Sequence, residues 1–199
     1  PVYELENVDQ AMFSIMGRYW FEDGLLPYVG LFDHKGPIIF LLNGIGWSLT
    51  GNVHGIALLQ IFFMLAYCLL AWYMVGCRHG QGYAYFSVIM SLFALRIVYA
   101  NGNTLEEFGL PFQMLATLGL YLWSEQETVE HRPVWAFVYG VCAAYFVLNR
   151  ASDALCVCLG CLIVVLSLIW AKAWRNIFDN FVAGICGMAI VFLPFILYF

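Results

Sequence analysis

Six apolar runs, separated by short polar turns, leave this chain little choice of fold. They cover about 54–76, 82–100, 108–124, 133–149, 154–171 and 180–199. Each approaches the ~20 residues that an α-helix needs to cross ~30 Å of hydrocarbon. Hydrocarbon offers no partner for a backbone N–H or C=O, so a spanning segment must satisfy its own hydrogen bonds. Composition points the same way: the chain is 63% hydrophobic and 11% charged, whereas soluble domains carry about a quarter charged residues. The expected fold is all-α, a polytopic transmembrane helix bundle over residues 53–199 with about six spans. A net charge of −5 argues against nucleic acid as a partner. Six of the seven cysteines, all but Cys77, fall inside apolar runs, where cysteine packs as a small hydrophobe. The string CVCLGC lacks the paired C-x-x-C spacing of a zinc site and has no nearby His. The sequence starts at Pro1 and shows no signal peptide, so it reads as a fragment of a longer chain with at least one helix before it.

The run 37–51, PIIFLLNGIGWSLTG, is shorter and carries Asn43, Gly44, Gly46 and Ser48. At ~1.5 Å per residue it reaches ~22 Å, short of a crossing. It is a tilted span, a re-entrant helix or a helix near the interface. Charge favours the readings in which it does not cross. In that case the turns holding Arg78, Arg132, Lys172 and Arg175 share one side. The acid-rich segments share the other: Glu4, Glu6, Asp9, Glu22, Asp23, Asp33, Glu106, Glu107 and Asp153, with Arg18, Lys35 and Arg150. Basic loops stay cytoplasmic, so residues 1–52 become an extracytoplasmic loop. Asp9, the DHKGP string and Glu106–Glu107 then meet on one face of the membrane.

Residues 8–20, VDQAMFSIMGRYW, carry a helical apolar stripe: Val8, Ala11, Met12, Ile15, Met16, Tyr19 and Trp20. Asp9, Gln10, Ser14, Gly17 and Arg18 lie off it. Thirteen residues do not span. Amphipathic helices at about 8–21 and 37–51 therefore suit the interface. The alternative for 8–20 is a packed surface helix. EDGLLPYVG, with Gly24 and Pro27, ends it.

Charges near membrane depth are costly and default to function. Asp9 flanks the first helix. Asp33, His34 and Lys35 stand before Gly36-Pro37 at the mouth of the short helix. An ammonium beside a helix N-terminus is apt for phosphate. Glu106 and Glu107 open the 108–124 span after NGN, and carboxylates there also complement the macrodipole. His34 alone reads equally as an interfacial histidine, and Asp33 as an N-terminal helix residue. Arg150 and Asp153 in VLNRASDAL either pair with each other, with Arg150 snorkelling to the interface, or touch substrate; the first is favoured.

DGLLPYVGLFDHKGPIIFLLNGIG and YANGNTLEEFGLPFQMLAT resemble two hallmark regions of bacterial polytopic glycosyltransferases of the GT-C type. That group includes protein O-mannosyltransferases and the aminoarabinose transferase of lipid A. F-D-H-K-G-P is the specific part, and order and spacing match along nearly the whole chain. The resemblance implies transfer of a hexose or pentose from a polyprenyl-phosphate donor to a hydroxyl on a lipid, glycan or protein, usually with inversion. It places the enzyme in the bacterial inner membrane with its site facing the periplasm or outside. It implies Asp9 as general base, Lys35 as the donor-phosphate ligand with Arg150 as a second cation, and Asp33, His34, Glu106 and Glu107 as substrate ligands. In metal-dependent members a divalent cation, Mg²⁺ or Mn²⁺, would fall to Asp9, Glu106 and Glu107. Two departures bear on that metal: Gln10 stands where many relatives have Glu, and Gly30 where many have Asp. The competing readings are a secondary transporter, which predicts an internal repeat and charges at the midplane, and a non-catalytic scaffold indifferent to Asp9 and Lys35.

Overall fold

A computed structural model of the chain describes residues 8–30, 33–99 and 102–198. Leu31, Phe32, Ala100 and Asn101 of the two hallmark strings, and the acids Glu4 and Glu6, lie outside the described residues. The elements are α1 (Val8–Glu22), α2 (Pro37–Thr50), α3 (Val53–His79), α4 (Gln81–Tyr99), α5 (Leu105–Ser124), α6 (Pro133–Asn149), α7 (Leu155–Trp170) and α8 (Trp174–Tyr198), with a 3-10 turn at Ala151–Ala154. No strand occurs among the described residues, and the fold is an all-α helical bundle. By length and composition four helical stretches can cross a membrane: Val53–His79, Gln81–Tyr99, Ala151–Trp170 and Trp174–Tyr198. The other two apolar runs are also helical; α6 has 17 residues and α5 carries Glu106 and Glu107 in its first turn.

The chain divides into two compact units, Pro1–Pro111 and Phe112–Phe199. In the first, α3 and α4 form an antiparallel hairpin that turns at Gly80 (φ 87°). Large apolar side chains such as Ile61, Phe62, Phe86 and Phe93 stay exposed along it, as a lipid-facing surface requires. α2 folds back on the first turns of α3 after Gly51 and Asn52, whose side chain accepts from the His54 N–H at 2.8 Å. α1 packs on α2 in parallel: Phe13 meets Phe40 at 6.1 Å between ring centroids, Gly17 lies against Gly44, and Glu22 accepts from Trp47 Nε1 at 2.6 Å. Gly17 is required for that approach, because a Cβ there would stand 2.5 Å from the Gly44 nitrogen. Residues 23–36 therefore run back from the end of α1 to the start of α2. The N-termini of both helices consequently lie at one end of the pair.

The face that α1 buries takes only part of its apolar stripe: Met16 and Trp20 are buried and Ala11 is half-buried. Gln10, Phe13, Ser14, Met16, Gly17 and Trp20 are buried, while Val8, Met12, Ile15 and Tyr19 are exposed. The reason is the solvent. Beside lipid, helices associate through small and hydrogen-bonding residues, and apolar side chains gain nothing by turning inward. Gln10, Ser14 and Gly17, off the stripe, are part of its protein contact, while Asp9 and Arg18 are exposed.

The second unit packs α6 against α8, with α7 alongside both. The helices approach backbone to backbone: a Cβ on Gly140 would meet the Gly184 carbonyl carbon at 2.9 Å. α8 begins at Trp174, not near residue 180, so Arg175 and Asn176 belong to a helix rather than to a loop. Asn176 and Asn180 face one side, four residues apart. There they bind the segment before α6: Asn176 Oδ1 accepts from the His131 N–H at 2.9 Å, and Asn180 Nδ2 donates to the His131 carbonyl at 3.0 Å.

Candidate functional site

The DHKGP string folds as a tight turn organised by its own acid. Asp33 is buried, and its Oδ1 accepts from the Lys35 backbone N–H at 3.2 Å. His34 Nδ1 lies 3.0 Å from the same oxygen, an ion pair when the imidazole is protonated, with the His34 side chain largely exposed. Tyr28 folds over the turn. Its hydroxyl donates to the Lys35 carbonyl at 2.5 Å, its ring meets Phe40 edge-on at 6.0 Å, and its backbone takes a left-handed φ of 71°. Burial, with the Asp33 charge adding to it, pushes the Tyr28 hydroxyl up to about 12, so it stays a proton donor at neutral pH. Lys35 itself is half-buried. α2 then starts at Gly36 and Pro37, with no side chain capping its N-terminus; Pro37 has no N–H, and Ile38 and Ile39 after it are buried.

Behind the turn lies a network of amides. Ser14 Oγ donates to Asn43 Oδ1 at 3.2 Å. Asn43 Nδ2 donates to Asn103 Oδ1 at 3.1 Å, and Asn103 Nδ2 returns to Asn43 Oδ1 at 3.0 Å. Asn103 Nδ2 also reaches the Gln10 carbonyl at 3.3 Å, while Gln10 Nε2 donates to the Gly102 carbonyl. Gln60 of α3 donates to Glu107 Oε2 at 2.8 Å. All six of these side chains are buried. A hydrogen-bonded cluster of this kind fixes α1, α2, α3 and the 102–107 segment in one register, because each unmade bond would leave a buried polar group unsatisfied.

Of the residues expected from sequence, Asp33 and His34 are in contact, and Lys35 is held by Asp33 through its backbone. Glu107 is buried on Gln60. Glu106 is half-buried in the same first turn of α5. Asp9 is exposed, one residue before the buried Gln10. The parallel register of α1 and α2 brings the Asp9 end and the DHKGP end together, and Gln10 and Asn43 tie both to the start of α5. Arg150 belongs to the second unit, where its Nε is 3.9 Å from Asp153 Oδ1. That is the pairing favoured from sequence. Among the described residues no group of three or more His, Cys, Asp or Glu side chains could hold a metal ion. Tyr28, Gln60 and Asn103 were not anticipated. Gln60 and Asn43 carried a readable signal, an amide inside an apolar run.

Comparison with protein-family models, with characterised proteins and with solved structures finds no match for this chain.

Proposed function

We propose that this chain carries the reacting groups of a GT-C type membrane glycosyltransferase. In this reading it moves a sugar from a polyprenyl phosphate to a hydroxyl acceptor at the extracytoplasmic face of the inner membrane. One observation carries the reading: the parallel packing of α1 on α2, which sets the start of α1, with Asp9, at the same end as the Lys35 turn. The acid and the cation that the chemistry requires thus share one edge of the bundle, beside the helices that can span lipid. The reading keeps α1 and α2 at the membrane interface, without crossing it, and lets α5 and α6 complete six crossings.

The chemistry needs two things. The acceptor oxygen attacks the anomeric carbon, and the bond from that carbon to the phosphate oxygen breaks. The bonding pair leaves on the phosphate as polyprenyl phosphate. A cation at the phosphate stabilises that developing charge, the role of Lys35. The hydroxyl proton must leave as the new bond forms, and a carboxylate within reach accepts it, the role of Asp9. Attack from the side opposite the phosphate inverts the anomeric centre. Asp33 and Tyr28 position Lys35 through its backbone. Glu107 holds the 102–107 segment against α3. Glu106 and His34 lie at this end and are assigned to sugar or acceptor.

The test uses the full chain in membranes with a radiolabelled polyprenyl-phosphate sugar. Asp9→Asn removes transfer and leaves donor binding in place. Lys35→Ala weakens donor binding by about tenfold or more, the ~1.4 kcal/mol or greater of a charge-assisted phosphate contact. Undiminished turnover in both variants refutes the assignment. Cysteine labelling at Asp23 and Glu127, both exposed, reports opposite sides of the membrane, with Asp23 outside; an outward Glu127 overturns the orientation.

A further inference from the structure

The second unit holds a two-part cavity that the transfer reaction does not use. Its apolar part, about 530 Å³, runs between α6, α7 and α8 and is lined along its length by residues such as Val147, Val165, Leu168 and Ile185. Its polar part, about 460 Å³, is walled by the 126–133 segment and includes Glu127, Glu130 and Arg132. His131 lines both, so the two volumes adjoin. Each is within the range of small-molecule sites, ~300–1,000 Å³.

Three observations identify what fits. First, the junction lies at the level of a membrane surface. Trp170 ends α7 and Trp174 begins α8, and their rings are 91% and 64% exposed, as in the aromatic belts at bilayer boundaries. Asn176, in the first turn of α8, holds the His131 backbone at that level. Second, the groove spans Ile177 to Met188 on α8, and at ~1.5 Å per residue that is ~16 Å, about half of a ~30 Å hydrocarbon core. It is the depth of one leaflet. Third, the polar part presents both signs: two carboxylates and one guanidinium, all three residues exposed. A guanidinium binds phosphate through paired N–H bonds. Carboxylates accept from an ammonium and repel a purely anionic head.

We propose that this cavity is a selective site for an ethanolamine-type phospholipid. One acyl chain lies in the α6–α7–α8 groove, the phosphate sits on Arg132, and the ammonium sits on Glu127 and Glu130. The polar part of the site lies at the end of α6 opposite Arg150 and Asp153, whereas the groove runs on to Val147 and Ala154 beside them.

Native mass spectrometry tests it on the full chain, released from nanodiscs containing equal parts of ethanolamine, choline and glycerol phospholipids. One ethanolamine phospholipid stays bound at activation energies that strip the others. Arg132→Gln, and Glu127→Gln combined with Glu130→Gln, each lower its retention about tenfold, equivalent to ~1.4 kcal/mol. Val165→Trp, at a groove position 39% exposed, abolishes it. The head-pocket variants decide the matter even if the tryptophan variant fails to fold. Equal retention of all three lipids means a lipid shell only, without a site. Retention unchanged in the head-pocket variants refutes the headgroup assignment. A photo-crosslinker at Val165 that captures another segment of the same chain shows the groove to be filled by protein and overturns the proposal.

Discussion

The two units solve the same problem with different groups. Each must hold helices together where apolar burial supplies little drive, and each buries a polar node. In the first unit the node is central. Six side chains from α1, α2, α3 and the 102–107 segment interlock, one of them the carboxylate of Glu107. In the second the helices approach through glycine, and the node is terminal: His131 with Asn176 and Asn180, beneath the loop that enters α6. A central network fixes which helix faces which, and it does so beside the Lys35 turn. A terminal one pins a loop and leaves the space between α6, α7 and α8 open. The difference accounts for a rigid charged edge in one unit and an apolar groove in the other.

The largest expected effect comes from adding charge to the central node. Gln10 donates to the Gly102 carbonyl, and a Cβ at Gly102 would lie 3.1 Å from Glu107 Oε2. Gln10→Glu replaces that donor by a carboxylate facing a carbonyl and near a second acid. A buried charge without a partner costs about 3–5 kcal/mol. Burial raises the folded pKa of the new carboxyl above its unfolded value of about 4.3. The penalty is therefore absent below that pH and grows as pH rises through it. A variant with Trp47 as its sole tryptophan, followed through detergent-induced unfolding at pH 4 and pH 7, reports the first unit. A loss that does not depend on pH would mean that packing, not charge, governs this node.

Glycine contact in the second unit carries the next effect. Gly140→Ala sets a methyl against the Gly184 backbone, which cannot rotate away as a side chain could. Overpacking of this kind costs about 1–3 kcal/mol. The unfolding midpoint reported by Trp123 falls, while that reported by Trp47 stays in place. Movement of both together would mean that the two units unfold as one.

The helices themselves were legible, because the apolar runs and polar turns leave few alternatives; α6 spans the run 133–149 as read. The faces were not. Of the stripe on α1, Val8, Met12, Ile15 and Tyr19 are exposed while Met16 and Trp20 are buried. Pattern gives the period of a helix, whereas which side is inside depends on whether its surroundings are water or lipid. The Asn43–Asn103 pair joins residues 60 apart in sequence, and no local signal encodes such a partner. The start of α8 was misplaced for a related reason: Asn176 and Asn180 look like turn residues until His131 supplies their contact. The DHKGP turn was visible as an oddity of charge, but the parallel return of residues 23–36 that aligns it with the start of α1 follows only from the tertiary contacts.

The smallest effect is a slope with pH, and it separates the two nodes most cleanly. His131 is buried with Nδ1 2.6 Å from Asn180 Oδ1 and Nε2 3.5 Å from the Tyr139 hydroxyl. Burial pushes the imidazole below its ordinary value of 6.5, against the smaller upward pull of Asn180. The folded state thus prefers the neutral ring, and the unfolded state binds a proton more readily. Stability from this group is complete above about pH 6.5 and is lost as pH falls through the folded value. Trp123, whose ring is 5.9 Å from that of His131, reports the change locally. Its unfolding midpoint declines from pH 7 toward pH 5, and His131→Gln, which has nothing to titrate, flattens the decline. An equal slope in that variant would move the titration to another group and leave the terminal node indifferent to protons. Acid should therefore weaken the second unit over the range in which it relieves the Gln10→Glu variant of the first.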